Sequence, residues 1–201
     1  MKSILTYALS AGIALVVLSM AVNADRYRLP GDQRGYEPDQ PIAFSHRLHA
    51  GELGVDCQYC HSGAERSRHA GIPAVSTCLN CHKFIKDTWG AVQAEDKAAA
   101  EEKRAPKPVE STEIAKLLKG EPIVWNQVHK LPDFAYFDHR PHVAAGVACQ
   151  KCHGPVETME KVRQVESLSM GWCVNCHRDV NEEGVAGKPV HASTDCTTCH
   201  Y

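Results

Sequence analysis

The chain opens on an apolar block and then loses almost all hydrophobic regularity. Residues Ile4 to Val22 are 19 mostly apolar positions without a charge, preceded by Lys2 and followed by Asp25, Arg26 and Arg28. A helix rises about 1.5 Å per residue, so the block predicts one hydrophobic helix of bilayer length. Val22-Asn23-Ala24 also reads as a small-residue cleavage site, so the block is either a retained anchor or a secretory signal. Both readings export the rest of the chain. Further on, Asp96 to Arg104 is rich in Ala, Glu and Lys and predicts a solvated helix. Ala105-Pro-Lys-Pro108 breaks it. Ile114, Leu117 and Leu118 then predict a short amphipathic helix ending at Gly120, as a connector or, alternatively, a docking element.

Composition accounts for the thin pattern. The hydrophobic fraction is 43%, but only 6% of the 201 residues are aromatic and only four are Phe, too few large side chains for an ordinary core. With 22 Lys+Arg against 24 Asp+Glu, the chain lacks the basic face that nucleic acid needs. What stands out is 10 Cys and 12 His.

Every cysteine falls in one pattern. Cys57-Gln-Tyr-Cys60-His61, Cys78-Leu-Asn-Cys81-His82, Cys149-Gln-Lys-Cys152-His153, Cys173-Val-Asn-Cys176-His177 and Cys196-Thr-Thr-Cys199-His200 use them all. C-x-x-C-H is the attachment signature of a c-type haem. Two thiols one helical turn apart reach one edge of a porphyrin, and the next residue turns its imidazole onto the iron. Zinc sites pair such motifs, and disulfides do not require the histidine. Five repeats therefore predict five covalently bound haem c groups, with His61, His82, His153, His177 and His200 as proximal ligands.

Seven histidines remain to close the other iron face. His46 and His49 lie in Phe44-Ser-His-Arg-Leu-His49, and His139 and His142 in Phe137-Asp-His-Arg-Pro-His142. An H-x-x-H pair places two imidazoles on one side of a helical turn, able to reach different irons. These four and His129 are the candidate distal ligands. His69 and Met159 are alternatives, and a thioether would raise the potential of its haem. Met170 and His191 rank below them. Two imidazoles per iron suit electron transfer, because no coordination position stays open for a substrate.

The segment from Ala43 to His61 aligns with Tyr136 to His153 after one deletion, and Cys78-Leu-Asn-Cys-His-Lys83 matches Cys173-Val-Asn-Cys-His-Arg178. The expected organisation is a hydrophobic segment over 1–24, a two-haem unit over 25–89, a polar helical linker over 90–124, and a second two-haem unit with a fifth, C-terminal haem over 125–201. The 177 residues after Ala24 give about 35 per motif. The expected fold is therefore mostly α and irregular, with short helices and loops wrapped round haems and little β structure.

The H-x-x-H and C-x-x-C-H arrangement resembles class III multihaem cytochromes. Trp125 to Asp133, Phe137 to His153, Met170-Gly-Trp-Cys-Val-Asn-Cys-His-Arg178, Ala70-Gly-Ile-Pro73 and the terminal Cys-His-Tyr201 are similar to the pentahaem subunit of alternative complex III. That resemblance covers most of 40–201. It implies a membrane helix at the N-terminus and a place on the periplasmic side of the bacterial inner membrane. It also implies a role as electron relay rather than catalyst. The implied partners are an iron–sulfur subunit, a monohaem cytochrome c subunit, integral-membrane subunits and a downstream periplasmic carrier or oxidase. The rival readings are a freestanding periplasmic electron shuttle and a multihaem reductase with an open haem.

Overall fold

The computed structural model describes residues 2–22 and 32–200, with side chains of the first segment from residue 6 onward. Asn23, Ala24, Asp25, Arg26, Arg28 and Tyr201 lie outside the described residues. The apolar block forms helix α1, Lys2–Val22. Its side chains face outward, with Leu9 at 66% and Val22 at 75% exposure. Among the described residues no helix is long and apolar enough to cross a membrane. The described side chains of α1 span 17 residues (6–22), and a bilayer takes about 20.

The remaining helices are short. They are α2 (Cys57–Cys60), α3 (Val75–His82), α4 (Trp89–Glu101), α5 (Thr112–Leu118), α6 (His139–Ala144), α7 (Gln150–His153), α8 (Met170–Glu183) and α9 (Cys196–Cys199). A π-helical turn spans Arg47–Glu52 and a 3-10 turn spans Val156–Thr158. Extended pairing among the described residues is limited to two isolated bridges, Ala135 with His200 and Val185 with Lys188.

Side chains alone do not close a large core. Among the described residues the buried apolar ones are Ile42, Ala64, Ala99, Ile114, Leu117, Val128 and Met159. The accessible surface is 14687 Å²; a compact monomer of this mass exposes roughly 9,300 Å². Outward-facing α1 contributes part of that excess.

The connector helix α5 is built as its sequence predicts. The Ser111 hydroxyl accepts from the Ile114 amide at 3.2 Å, Glu113 sits in the first turn, and Gly120 ends the segment at φ +71°. Ile114 and Leu117 pack on Ile42, with Val75, Cys78 and Leu79 of α3 alongside. The solvated helix α4 starts earlier than Asp96. The Thr88 hydroxyl caps it by accepting from the Ala91 amide at 3.2 Å, and alanines carry it on to Glu101. Arg104 then folds back to pair with Glu95.

The duplicated H-x-x-H segments differ locally. The second is α-helical, with Pro141 in the first turn, where no helical donor is lost. The first carries the extra residue, and the Leu53 amide reaches back five residues to the Leu48 carbonyl at 2.9 Å. In α6 the Ala145 amide reaches back four residues, to the Pro141 carbonyl at 3.0 Å. The insertion is thus absorbed as a π turn. Both segments end on a glycine in the left-handed region, Gly54 at φ +65° and Gly146 at φ +85°.

Candidate metal centres

Each C-x-x-C-H motif begins on a helix or helical turn. Positions i, i+3 and i+4 share a helical face, so both thiols and the following imidazole point the same way. Asp56 starts α2 by accepting from the Gln58 amide at 2.7 Å, and Ser169 starts α8 by accepting from the Trp172 amide at 3.3 Å. All ten cysteines are free thiols. Among the described residues no three His, Cys, Asp or Glu side chains converge as a metal cluster of their own.

The imidazoles are held by the main chain. Nδ1 lies 2.7 Å from the Gly71 carbonyl oxygen in His61, 2.8 Å from that of Ile85 in His82, 2.5 Å from that of Ser193 in His177 and 3.1 Å from that of Phe134 in His200. The same bond runs from His49 to Ser45 at 2.9 Å, from His139 to Arg68 at 2.9 Å and from His142 to Asp138 at 2.8 Å. A carbonyl only accepts, so Nδ1 carries the proton and Nε2 keeps its lone pair for a metal. Burial pushes His46 down to about 4, helped by His61 and His49. Burial likewise holds His153 at about 4, helped by His129, His139 and His61. His129 and His142 are lowered too, first by burial. Such rings stay neutral near pH 7, the state that coordinates metals.

The rings then face each other in pairs. His46 and His61 have centroids 6.5 Å apart and planes within 2°. His139 and His153 repeat this at 6.3 Å and 7°. His49 and His82 stand 6.0 Å apart at 59°, and His142 and His177 stand 6.0 Å apart at 36°. Two metal–nitrogen bonds of about 2 Å each would put the ring centres roughly 6 Å apart. In both units the first histidine of H-x-x-H faces the motif that follows it. The second faces the motif after that.

Two phenylalanines support these pairs, and the sequence reading passed over them. Phe44 stacks on His49 at 4.4 Å and meets His46 edge-on at 4.9 Å. Phe137 lies at a 34° tilt to His142 at 4.7 Å and meets His139 edge-on at 4.8 Å. Their shared place two residues before each H-x-x-H was the available signal.

Residues 135–201 match the family described as cytochrome c7 and related cytochrome c. A relative named "Menaquinone reductase, multiheme cytochrome c subunit", from Nitratidesulfovibrio vulgaris (strain Hildenborough), is 27% identical over 185 residues. The match covers 82% of this chain and 78% of the relative. Both likenesses are to multihaem cytochromes c.

Haem c chemistry fits the residues present in this chain. Thioether attachment needs free thiols, and the iron needs opposed Nε2 lone pairs; the chain supplies both. The other candidates fall in different places. His200 stacks against Phe134 at 5.9 Å. His129 is brought against His153, edge-on at 4.4 Å, with its Nε2 buried and without a hydrogen-bond partner. Met159 is buried, and its carbonyl accepts from the Arg47 amide at 2.9 Å beside the first H-x-x-H. His69 and His191 are exposed.

Proposed function

We propose that this chain carries five covalent haem c groups. It would relay single electrons as a subunit of a membrane quinone-linked oxidoreductase of the alternative complex III kind. The observation that carries the reading is the four opposed imidazole pairs at 6.0–6.5 Å. Bound haem iron supplies one-electron chemistry, cycling between ferric and ferrous. The chain would supply the thiols of all five motifs, the proximal imidazoles and the distal set His46, His49, His139 and His142. His129 is the remaining distal candidate, and its orphaned Nε2 supports a role at a haem. The named subunit role of the relative supports a quinone-linked complex. The outward-facing apolar surface of α1 supports anchoring through residues 4–22 on the periplasmic side of the inner membrane. The proposed organisation keeps the two two-haem units, the polar linker and the C-terminal fifth haem.

Mild-detergent purification with intact mass analysis tests this reading. The expected product retains residues 1–24, carries five haem masses, and comes with iron–sulfur, monohaem and integral-membrane subunits. A processed, soluble monomer would replace it with the freestanding shuttle. A high-spin ferric haem that binds nitrite or cyanide would replace it with the reductase.

A further inference from the structure

The two H-x-x-H units touch each other, and they do so through equivalent positions. Cys57 and Cys149, the first thiols of equivalent motifs, are hydrogen-bonding neighbours. His61 and His153, which close those motifs, are close neighbours: His61 lies near enough to His153 to disfavour its protonation. The packing around them is reciprocal. The loop after the first motif gives its Arg68 carbonyl to His139, accepting from the amide at 3.2 Å and from Nδ1 at 2.9 Å. Arg68 Nε donates to the Phe137 carbonyl at 3.2 Å, and its guanidinium lies 4.2 Å above the Tyr136 ring. In return, the loop after the third motif gives its Met159 carbonyl to the Arg47 amide at 2.9 Å. That loop's Glu157 backbone also lies against Gly51, so closely that a Cβ there would collide. Each unit therefore braces the other's H-x-x-H helix with the loop after its own first motif. Equivalent residues meeting each other are the mark of a two-fold interface.

The other neighbours extend outward from this junction. The Asn80 amide, in the spacer of the second motif, donates to the Tyr59 hydroxyl, in the spacer of the first, at 3.0 Å. Cys60 lies by Cys78. Cys152 lies by Cys173 and Cys176, and Cys173 lies by Cys199. Asn181 ties the fourth motif to the segment before the fifth, exchanging bonds of 2.9 and 2.7 Å with the Ala192 backbone.

We propose that the two units meet face to face across a local two-fold axis. The ligand pairs then run in the order His49/His82, His46/His61, His139/His153, His142/His177, with the fifth motif at the far end. Spatial order departs from chain order, because the second motif becomes a terminus and the first becomes a junction. With haem bound, an electron crossing between units would pass from a ferrous iron held by His46 and His61 to a ferric iron held by His139 and His153. This order rests on the ligand reading given above.

Electron paramagnetic resonance of the intact holoprotein, followed through a reductive titration, tests it. His46→Met, His49→Met and His139→Met each replace one distal imidazole by a thioether, which raises that iron's potential so that it reduces early. The line lost in each variant assigns its own iron. Loss of a neighbouring spin and charge perturbs nearby ferric sites most, because both interactions fall with distance. His46→Met should shift two other signals, including the one that His139→Met assigns. His49→Met should shift one. Chain order requires the reverse, with two signals shifted by His49→Met and one by His46→Met, and that result overturns the proposed order while leaving the ligand reading intact. Spectra unchanged in all three variants remove the ligand reading and the order with it. If His46→Met does not accumulate as holoprotein, His139→Met puts the same question from the other side. It should leave unmoved the signal that His49→Met assigns; a shift of that signal overturns the order.

Discussion

The two H-x-x-H units solve one problem with slightly different backbones. Both set a phenylalanine beneath two imidazoles, and both pair the first ring in parallel and the second ring at a tilt. The second unit does this on an α-helix capped by Asp138, whose carboxylate accepts from the Arg140 amide at 2.9 Å. The first does it on a π turn braced from outside by Met159 and Glu157. The brace comes with a difference in detail. His139 Nδ1 donates to the Arg68 carbonyl, but at the equivalent place the Met159 carbonyl takes the Arg47 amide, and His46 Nδ1 is buried without a partner. Ring placement is thus preserved where backbone type and hydrogen bonding are not. What duplication kept is the geometry of opposed rings.

The largest effect expected from breaking this parallel is loss of a distal ring. His46→Ala and His139→Ala should each convert one low-spin site to high spin and leave the others unchanged, as read by optical and magnetic spectra. One silent variant would end the equivalence of the units. The orphaned Nδ1 of His46 gives a subtler contrast. A hydrogen bond to the outer nitrogen makes an imidazole a stronger donor to its metal. The His46/His61 site should therefore titrate above the His142/His177 site, where both rings make that bond. A bond worth about 1 kcal/mol corresponds to a separation on the order of tens of millivolts. A redox titration with the reverse order would show that the missing bond does not set the difference.

Packing at the brace comes next. Gly51→Ala would drive a methyl group into the Glu157 backbone, and should cost about 1–3 kcal/mol by overpacking. The matching place two residues after His142 is already Ala144. Ala144→Gly there should cost about 0.5–1 kcal/mol through backbone entropy. Thermal melts of the two holoprotein variants compare them directly, and equal losses would contradict a close backbone approach confined to the first unit. The smallest effect lies in the linker, outside both units. The Arg104 guanidinium, and after it the Lys107 amide, hold Glu95 down at about 2, against its ordinary 4.5. Its contribution is complete above that ordinary value and fades as pH falls through the folded one. Helix content of α4 should decline over that acid window while the haem spectra of both units stay fixed. A linker indifferent to Glu95→Gln would show the pair to be ornamental.

Much of this was legible in the sequence because haem chemistry is written locally. Two thiols and an imidazole at fixed spacing sit on one helical turn whatever surrounds them. The H-x-x-H pairs and the Ser111–Gly120 helix follow from equally short-range rules. Ring partners were not legible. Whether His49 faces His61 or His82 is decided by how α3 packs on Ile42 and α5, across dozens of residues. His129 illustrates the limit: counting histidines makes it a candidate distal ligand, and only tertiary packing sets it against His153. The π turn was hidden for a different reason. A one-residue insertion shows in an alignment, but not whether a loop or a helix absorbs it.

The carbonyl partners of the imidazoles have a consequence for how such a chain can drift. Gly71, Ile85, Ser193, Phe134, Ser45, Arg68 and Asp138 hold rings through main-chain oxygens. No side-chain replacement deletes a carbonyl. Left-handed Gly71 at φ +79° and the capping Asp138 aside, those positions can exchange residues while the rings keep their tautomer and their aim. A fold held this way hides its constraints from sequence comparison, and it can sink to low identity with its iron ligation intact.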